Sequence, residues 1–143
     1  MKNKPELQTL IFAGLFLTSV FAHGAKLPLY DQLHGLQGIT RIVDAMLLLH
    51  PTNHDVHKHF EHTNMSRFRD KLIEYLCEIS DGPCDYSGDT MLLVHGGMNV
   101  SESDFNGLVD LLIKALDQNE VSLAVRNQLL ARLAKLRPDI IYQ

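Results

Sequence analysis

The feature that most constrains this chain is the spacing of its apolar residues, which recur three and four positions apart and seldom every second one. Ile39, Ile42, Val43, Met46 and Leu49 form one such stripe over residues 38–50. Pro51 closes it, because proline has no amide hydrogen with which to continue a helix. Met65, Phe68, Leu72, Tyr75, Leu76 and Ile79 make a second stripe over Met65–Ile79, with Asn64 or Ser66 able to cap its start. A third helix is announced by Ser101 as N-cap, Asp104 at the third helical position and Val100 set against Phe105 as a hydrophobic staple. Aspartate is a weaker partner than glutamate or glutamine in such a capping box, so the motif is a near-match. Phe105, Leu108, Val109, Leu112 and Leu116 continue that helix. Ser122 opens the last one, with Val125, Leu129, Leu133 and Leu136 inward and Pro138 near its end. A short lead-in element over 27–35 precedes them all. The spacing predicts four substantial helices joined by short connectors, an all-α domain.

At 143 residues the chain has room for one domain with a real core and not for two. A hydrophobic share of 45% against 21% charged separates it from disordered chains. The net charge of −4, with no run of Lys or Arg, argues against a nucleic-acid partner.

Lys2 and Lys4 precede an apolar run at 10–22, LIFAGLFLTSVFA. The run is too short for a stable bilayer-spanning helix and fits the core of a signal peptide, with small residues offering a cleavage site near 22–25. Residues 1–22 are thus expected to be an export address. Residues 26–143 would be the working domain, in an oxidising space such as a bacterial periplasm and free of the membrane once processed. An uncleaved membrane anchor and a buried first helix are the competing readings. Cys77 and Cys84 suit that compartment. Asp81-Gly82-Pro83 between them lets the chain turn back, so the sulfurs could meet as a disulfide rather than remain two thiols. Closing so small a loop contributes about 2–3 kcal/mol in the chain-entropy account. The spacing is not C-x-x-C-H, so covalent c-type haem attachment is not suggested.

Between the second and third long helices lies YSGDTMLLVHGGMNVSESDF, residues 86–105, with His95 at its centre. Met91–His95 reads as the end of a short helix in which Met91 and Leu92 share the face of His95, just before the helix-ending Gly96-Gly97. An imidazole on an apolar helix face is what an axial haem ligand requires. Taken alone, such a residue is more often a hydrogen-bonded core histidine.

The order of landmarks adds to that signal. Leu29-Tyr30-Asp31 with Gly35, Phe60 followed by Thr63-Asn64-Met65-Ser66-Arg67, then Gly82-Pro83, Tyr86, Gly88, Met91, His95, Val100 and Phe105 resemble the group I truncated haemoglobins, with no gap needed between Tyr30 and Phe105. The resemblance implies a truncated globin, a two-over-two helical sandwich around non-covalent haem b, covering essentially the whole mature chain. It implies His95 as the proximal iron ligand and Phe60 as the ring that stacks on the haem plane. Phe68, Leu72, Tyr75, Leu76, Met91, Val94, Val100 and Phe105 fall where that family lines its pocket. Arg67, Lys71 and Arg69 fall near the propionates, although for Arg69 a solvated helix face is preferred. The physics agrees: haem is a large apolar plate with two anionic ends, suited to an apolar slot with cations at its rim.

The departures bear on mechanism. The family's usual tyrosine donor in the second helix corresponds to Leu47, and its distal Gln or His helpers to Phe68 and Leu72. A donor to a charged acceptor is worth about 1.5–3 kcal/mol, so its loss should speed oxygen release by roughly 10- to 150-fold and affect carbon monoxide much less. Lys71 matches a position that supplies an internal sixth ligand (His or Lys) in some relatives; a propionate contact or plain exposure is the preferred reading, and a ligating amine would have to be neutral. Tyr75 offers a hydroxyl where the family often has Phe.

His50, His54, His57, His59 and His62 crowd the segment before and after Phe60. If helical, His50 and His54 would share a face, as would His54 and His57, in a manner suited to zinc or copper. Pro51 argues for a polar exposed loop instead, from which His59 or His62 could touch a propionate. The preferred function is a haem protein that binds oxygen, carbon monoxide or nitric oxide reversibly, as carrier, sensor or electron-transfer protein with a reductase as partner. A haem enzyme turning over nitric oxide or peroxide is the alternative, weakened by the missing distal acid–base residue. A periplasmic zinc- or copper-binding module built on the histidines is the third.

Overall fold

The computed structural model describes residues 27–143; the apolar run at 10–22 and the expected cleavage site lie outside the described residues. The helices are α1 (Leu29–Gln32), α2 (Gly35–Leu49), α3 (His54–His57), α4 (Met65–Ile79), α5 (Met91–His95), α6 (Glu102–Gln118) and α7 (Leu123–Leu133). Short 3-10 segments follow α2 at His50–Thr52, α3 at Lys58–Phe60 and α7 at Ala134–Asp139.

Helix α2 is shared between the two halves of the sandwich, packing on α4 and on α6. Its stripe of Ile39, Ile42, Val43 and Met46 is buried and joins Leu76 of α4 with Leu111, Leu112, Ala115 and Leu116 of α6 in one core. Burying an aliphatic side chain of this size is worth about 1.5–3 kcal/mol. The helix begins at Gly35, one turn before the apolar spacing announces it. The extra turn carries the exposed Leu36, so it adds nothing to the stripe. His34 and Gly35 both take positive φ, and this left-handed step turns the chain from α1 into α2. The corner is tight enough that a Cβ at Gly38 would collide with the Leu33 carbonyl.

Helix α4 spans the expected residues, with Asn64 Oδ1 accepting from the Arg67 amide at 3.1 Å. At its far end Cys77, fully buried, forms a disulfide with Cys84 across a Cα–Cα distance of 5.8 Å. Gly82 is required in the loop they close, because a side chain there would strike the Tyr30 ring and the Cys77 carbonyl and sulfur. The Tyr30 amide donates to the Ser80 carbonyl at 2.7 Å, so the same corner ties α1 to the end of α4.

The start of α6 is held more firmly than its sequence suggested. Ser101 Oγ accepts from the Asp104 amide at 3.1 Å and Asp104 Oδ2 accepts from the Ser101 amide at 3.0 Å, a complete capping box in which the shorter aspartate suffices. Asp104 is only 5% exposed, and Lys58 Nζ donates to its other oxygen at 2.9 Å. His59 Nε2 lies 3.1 Å from Oδ2, an ion-pair distance with its N–H aimed off that line. Burial works to raise the Asp104 pKa, but Lys58, the Ser101 amide and His59 together outweigh it and hold the carboxyl well below the usual range. Val100, the expected staple, is buried and its backbone pairs with the C-terminal segment: it bridges to Ile141 in parallel, and its carbonyl accepts from the Tyr142 amide at 2.9 Å.

Two stability measurements follow. Asp104→Asn should cost about 2 kcal/mol at neutral pH in urea unfolding. Because the folded pKa is depressed, the wild-type advantage is fully present above the unfolded carboxylate pKa of about 3.9 and should shrink as pH falls below it. Cys84→Ala should lower the unfolding free energy by about 2–3 kcal/mol under oxidising conditions and leave a chain indifferent to dithiothreitol.

Candidate functional site

Helices α4, α5 and α6, with the chain's C-terminal segment, enclose a cavity of about 460 Å³. Phe68, Leu72, Tyr75 and Leu76 come from α4, and Met46 reaches it from α2. Phe105, Leu108, Val109 and Leu112 of α6 form the opposite wall, closed by Leu133, Leu136 and Ile140. Thr63, Asn64, Arg67 and Lys71 place polar and cationic groups on the same lining. The result is a mainly apolar slot with a few polar groups, of the size that takes a large planar ligand.

Helix α5 supplies Met91, Val94 and His95 to this cavity and leaves Leu92 and Leu93 half or more exposed. Thr90 caps it, its hydroxyl accepting from the Leu93 amide at 3.3 Å, and Gly96 and Gly97 end it, the latter with φ +81°. His95 Nδ1 lies 2.8 Å from the Met91 carbonyl. A carbonyl can only accept, so Nδ1 is the donor in this contact and Nε2 is the ring nitrogen left for another partner. A histidine so fixed at one nitrogen is prepared to ligate a metal through the other.

The other expected residues divide by their neighbours. Tyr75 lines the cavity with its ring edge-on to Tyr86 at 5.0 Å, and burial raises its phenol pKa. The Tyr86 hydroxyl donates to the Asp89 carbonyl at 3.0 Å. Lys71 Nζ donates to both carboxylate oxygens of Glu74, at 2.8 and 3.1 Å, and to Ser87 Oγ. Lys71, and after it the Ser87 amide, hold the Glu74 carboxyl below its ordinary pKa. Arg69 makes a two-pronged contact with Asp44 of α2, at 2.5 and 3.0 Å, so it braces α4 against α2 and is not a free solvated residue.

Three residues expected on the wall stand elsewhere. Met46, not Leu47, is the α2 residue on the cavity, because the buried stripe of the helix turns position 46 inward and leaves 47 about 100° round. Phe60 sits one layer back, edge-on to Phe68 at 4.9 Å and to His50 at 5.5 Å. Val100 is buried beside the chain's C-terminal segment, to which its backbone is bridged, and is not on the lining. Met46 shares its stripe with Ile42 and Val43, a signal that could have placed it. Glu74 and Ser87 carry no such sign, since their meeting depends on how the chain returns along α4.

The histidine cluster disperses. His50 Nδ1 is 2.6 Å from the Leu47 carbonyl, its ring lies 5.2 Å from that of His57, and His59 faces Asp104. Among the described residues no three His, Cys, Asp or Glu side chains converge as metal ligands. The zinc or copper reading therefore finds no three-ligand grouping among the described residues, where only the His50 and His57 rings lie side by side. His59 stands beside Asp104 at the start of α6 and is not on the cavity lining.

Comparison with known proteins matches this geometry. The group 1 truncated hemoglobin of Nostoc sp. is 27% identical over 113 residues, which is 79% of this chain and 96% of that protein. That of Mycolicibacterium paratuberculosis is 26% identical over 84% of this chain and 88% of its own length. The Fe(III) form of a truncated hemoglobin variant from Tetrahymena pyriformis superposes with a TM-score of 0.79 at 23% identity, covering 82% of this chain and all of that one (100%). The 2/2 hemoglobin of Synechococcus sp. PCC 7002, crystallised in the cyanomet state with covalently attached heme, superposes at 0.75 with 16% identity, over 80% of this chain and 98% of its own. These two likenesses show the fold. The profile of the bacterial-like globins matches residues 28–142, from the first residues of the α1 corner to the tail that bridges Val100, and the chain belongs to that family.

Proposed function

We propose that this globin holds haem b non-covalently in the cavity between α4 and α6, with His95 Nε2 as the proximal ligand, and binds oxygen or another diatomic gas reversibly. The observation that carries this is the His95 Nδ1 to Met91 carbonyl bond on an otherwise apolar wall. The donor set fits the group: one imidazole with a fixed tautomer, an apolar slot, and the cations Arg67 and Lys71 on its lining. Haem supplies an iron with one position left for a small gaseous ligand. Non-covalent attachment is supported by the chain's own chemistry, since both cysteines are in the disulfide and His95 is the one histidine among the described cavity residues.

On the side away from His95, Met46, Phe68, Leu72 and Leu76 offer the gas no hydrogen-bond donor. They exclude water and leave a polar ligand such as oxygen without the donor that slows its escape. The absence of an α2 donor does not depend on whether position 46 or 47 faces inward, since Met and Leu both lack one. Of the polar groups that α4 brings to the lining, the Lys71 amine is engaged by Glu74 and Ser87, and the Tyr75 ring is packed edge-on against Tyr86. This favours reversible binding over peroxide chemistry, which needs a free proton donor at the reacting site. An extracytoplasmic site of action is the accompanying proposal, supported by the Cys77–Cys84 disulfide and by the basic-then-apolar start of the sequence.

Hemin titration followed at the Soret band tests the central bond. Wild-type protein should bind hemin with a shifted, sharpened band, and His95→Ala should weaken binding by at least about tenfold. If the alanine variant gives the same spectrum and affinity, His95 is not the ligand. Leu72→Gln, which installs a donor on the apolar wall, should slow oxygen release by roughly 10-fold or more while carbon monoxide release changes much less, measured by stopped-flow displacement.

A further inference from the structure

Residues 74, 77 and 78 share one face of α4, and each grips the chain that returns along that helix towards His95. Cys77 holds Cys84 through the disulfide. Glu78 accepts from the Tyr86 amide at 3.2 Å. Glu74 accepts from the Ser87 amide at 3.2 Å and the Ser87 hydroxyl at 2.9 Å, besides both contacts from Lys71. Beyond this last grip, Gly88 and Asp89 line the cavity and Thr90 caps α5. Glu74 is therefore where the returning segment leaves α4 and crosses the cavity towards the histidine.

The geometry points to Glu74 as the positioning residue that keeps the haem-binding cavity closed, fastening residues 86–89 to α4 and holding the Lys71 ammonium at that clasp. Glu74 does not itself line the cavity, and it acts through Lys71 and Ser87, which it joins. The inference rests on the haem reading above. Removing the carboxylate leaves three donors to water. Because the clasp is partly exposed, this should change global stability little while raising the frequency of local opening.

The test uses the ferric holoprotein, with haem transfer to excess apomyoglobin and amide hydrogen exchange as readouts. Glu74→Ala keeps α4 intact, since alanine favours helix at a partly exposed site. It should release haem roughly three- to tenfold faster than wild type. Exchange should quicken at the amides of 86–90 and stay unchanged at Val43 in the core. Glu74→Gln should be intermediate, because its carbonyl still accepts from Ser87 but carries no charge for Lys71. Equal haem release by Glu74→Ala and wild type overturns the inference, as does exchange that rises equally at Val43. A wild-type chain that takes up no hemin overturns the haem reading instead, and the exchange contrast at 86–90 is then read on the haem-free chain.

Discussion

A helix of five residues cannot hold its own side chains in place. Helix α5 completes barely more than one turn, well below the length at which a helix is stable by itself. Everything that orients His95 must therefore come from outside or from local bonds. The Thr90 cap and Gly97 fix the two ends, the Met91 carbonyl fixes the ring, and the flanking segments are each fastened to a longer helix. On the N-terminal side the chain is laced to α4 by a disulfide and two glutamates. On the C-terminal side it enters α6 through a capping box and is paired with the chain's end at Val100 and Ile141. The cavity exists because these fastenings keep a short helix facing a long one.

The charged residues serve that same end. Asp104 gathers Lys58, His59 and the Ser101 amide at one buried carboxylate, so the turn after α3 and the start of α6 move as one piece. Arg69 and Asp44 brace α4 against α2. Such pairs contribute little when exposed, but Asp104 is nearly sealed from water, and a sealed carboxylate deprived of its donors is costly. Several groups that look like ligands for a metal or a propionate are thereby occupied in holding the frame. That leaves His95 as the one histidine among the described residues of the cavity lining, with Nδ1 held by the Met91 carbonyl.

Much of the fold was legible because helix stripes are local. The boundaries of α4, the end of α5 and the Ser101 and Ser122 caps follow from spacing and capping chemistry that act within a few residues. His95 was legible for a similar reason: an imidazole before two glycines on an apolar turn is a local pattern. The early start of α2 was not, because its first turn is exposed at Leu36 and is set by how closely it packs on α1 at Gly38. The stripe of α2 already marked Met46 as inward, and Leu47 was set on the cavity only by its alignment with the family's tyrosine position.

By itself the sequence determined the all-helical class, the place of the candidate histidine at the end of a short apolar helix, and the closeness of Cys77 and Cys84. Each depends on residue type or on spacing within a few turns. Only the tertiary structure decided that Phe60 stands behind Phe68, that Val100 belongs to a bridge and that His59 serves Asp104. It alone brought Glu74 to Ser87 and Lys71. These partners come from separate segments, and whether two polar groups meet across a fold depends on where the backbone returns, which no periodicity records.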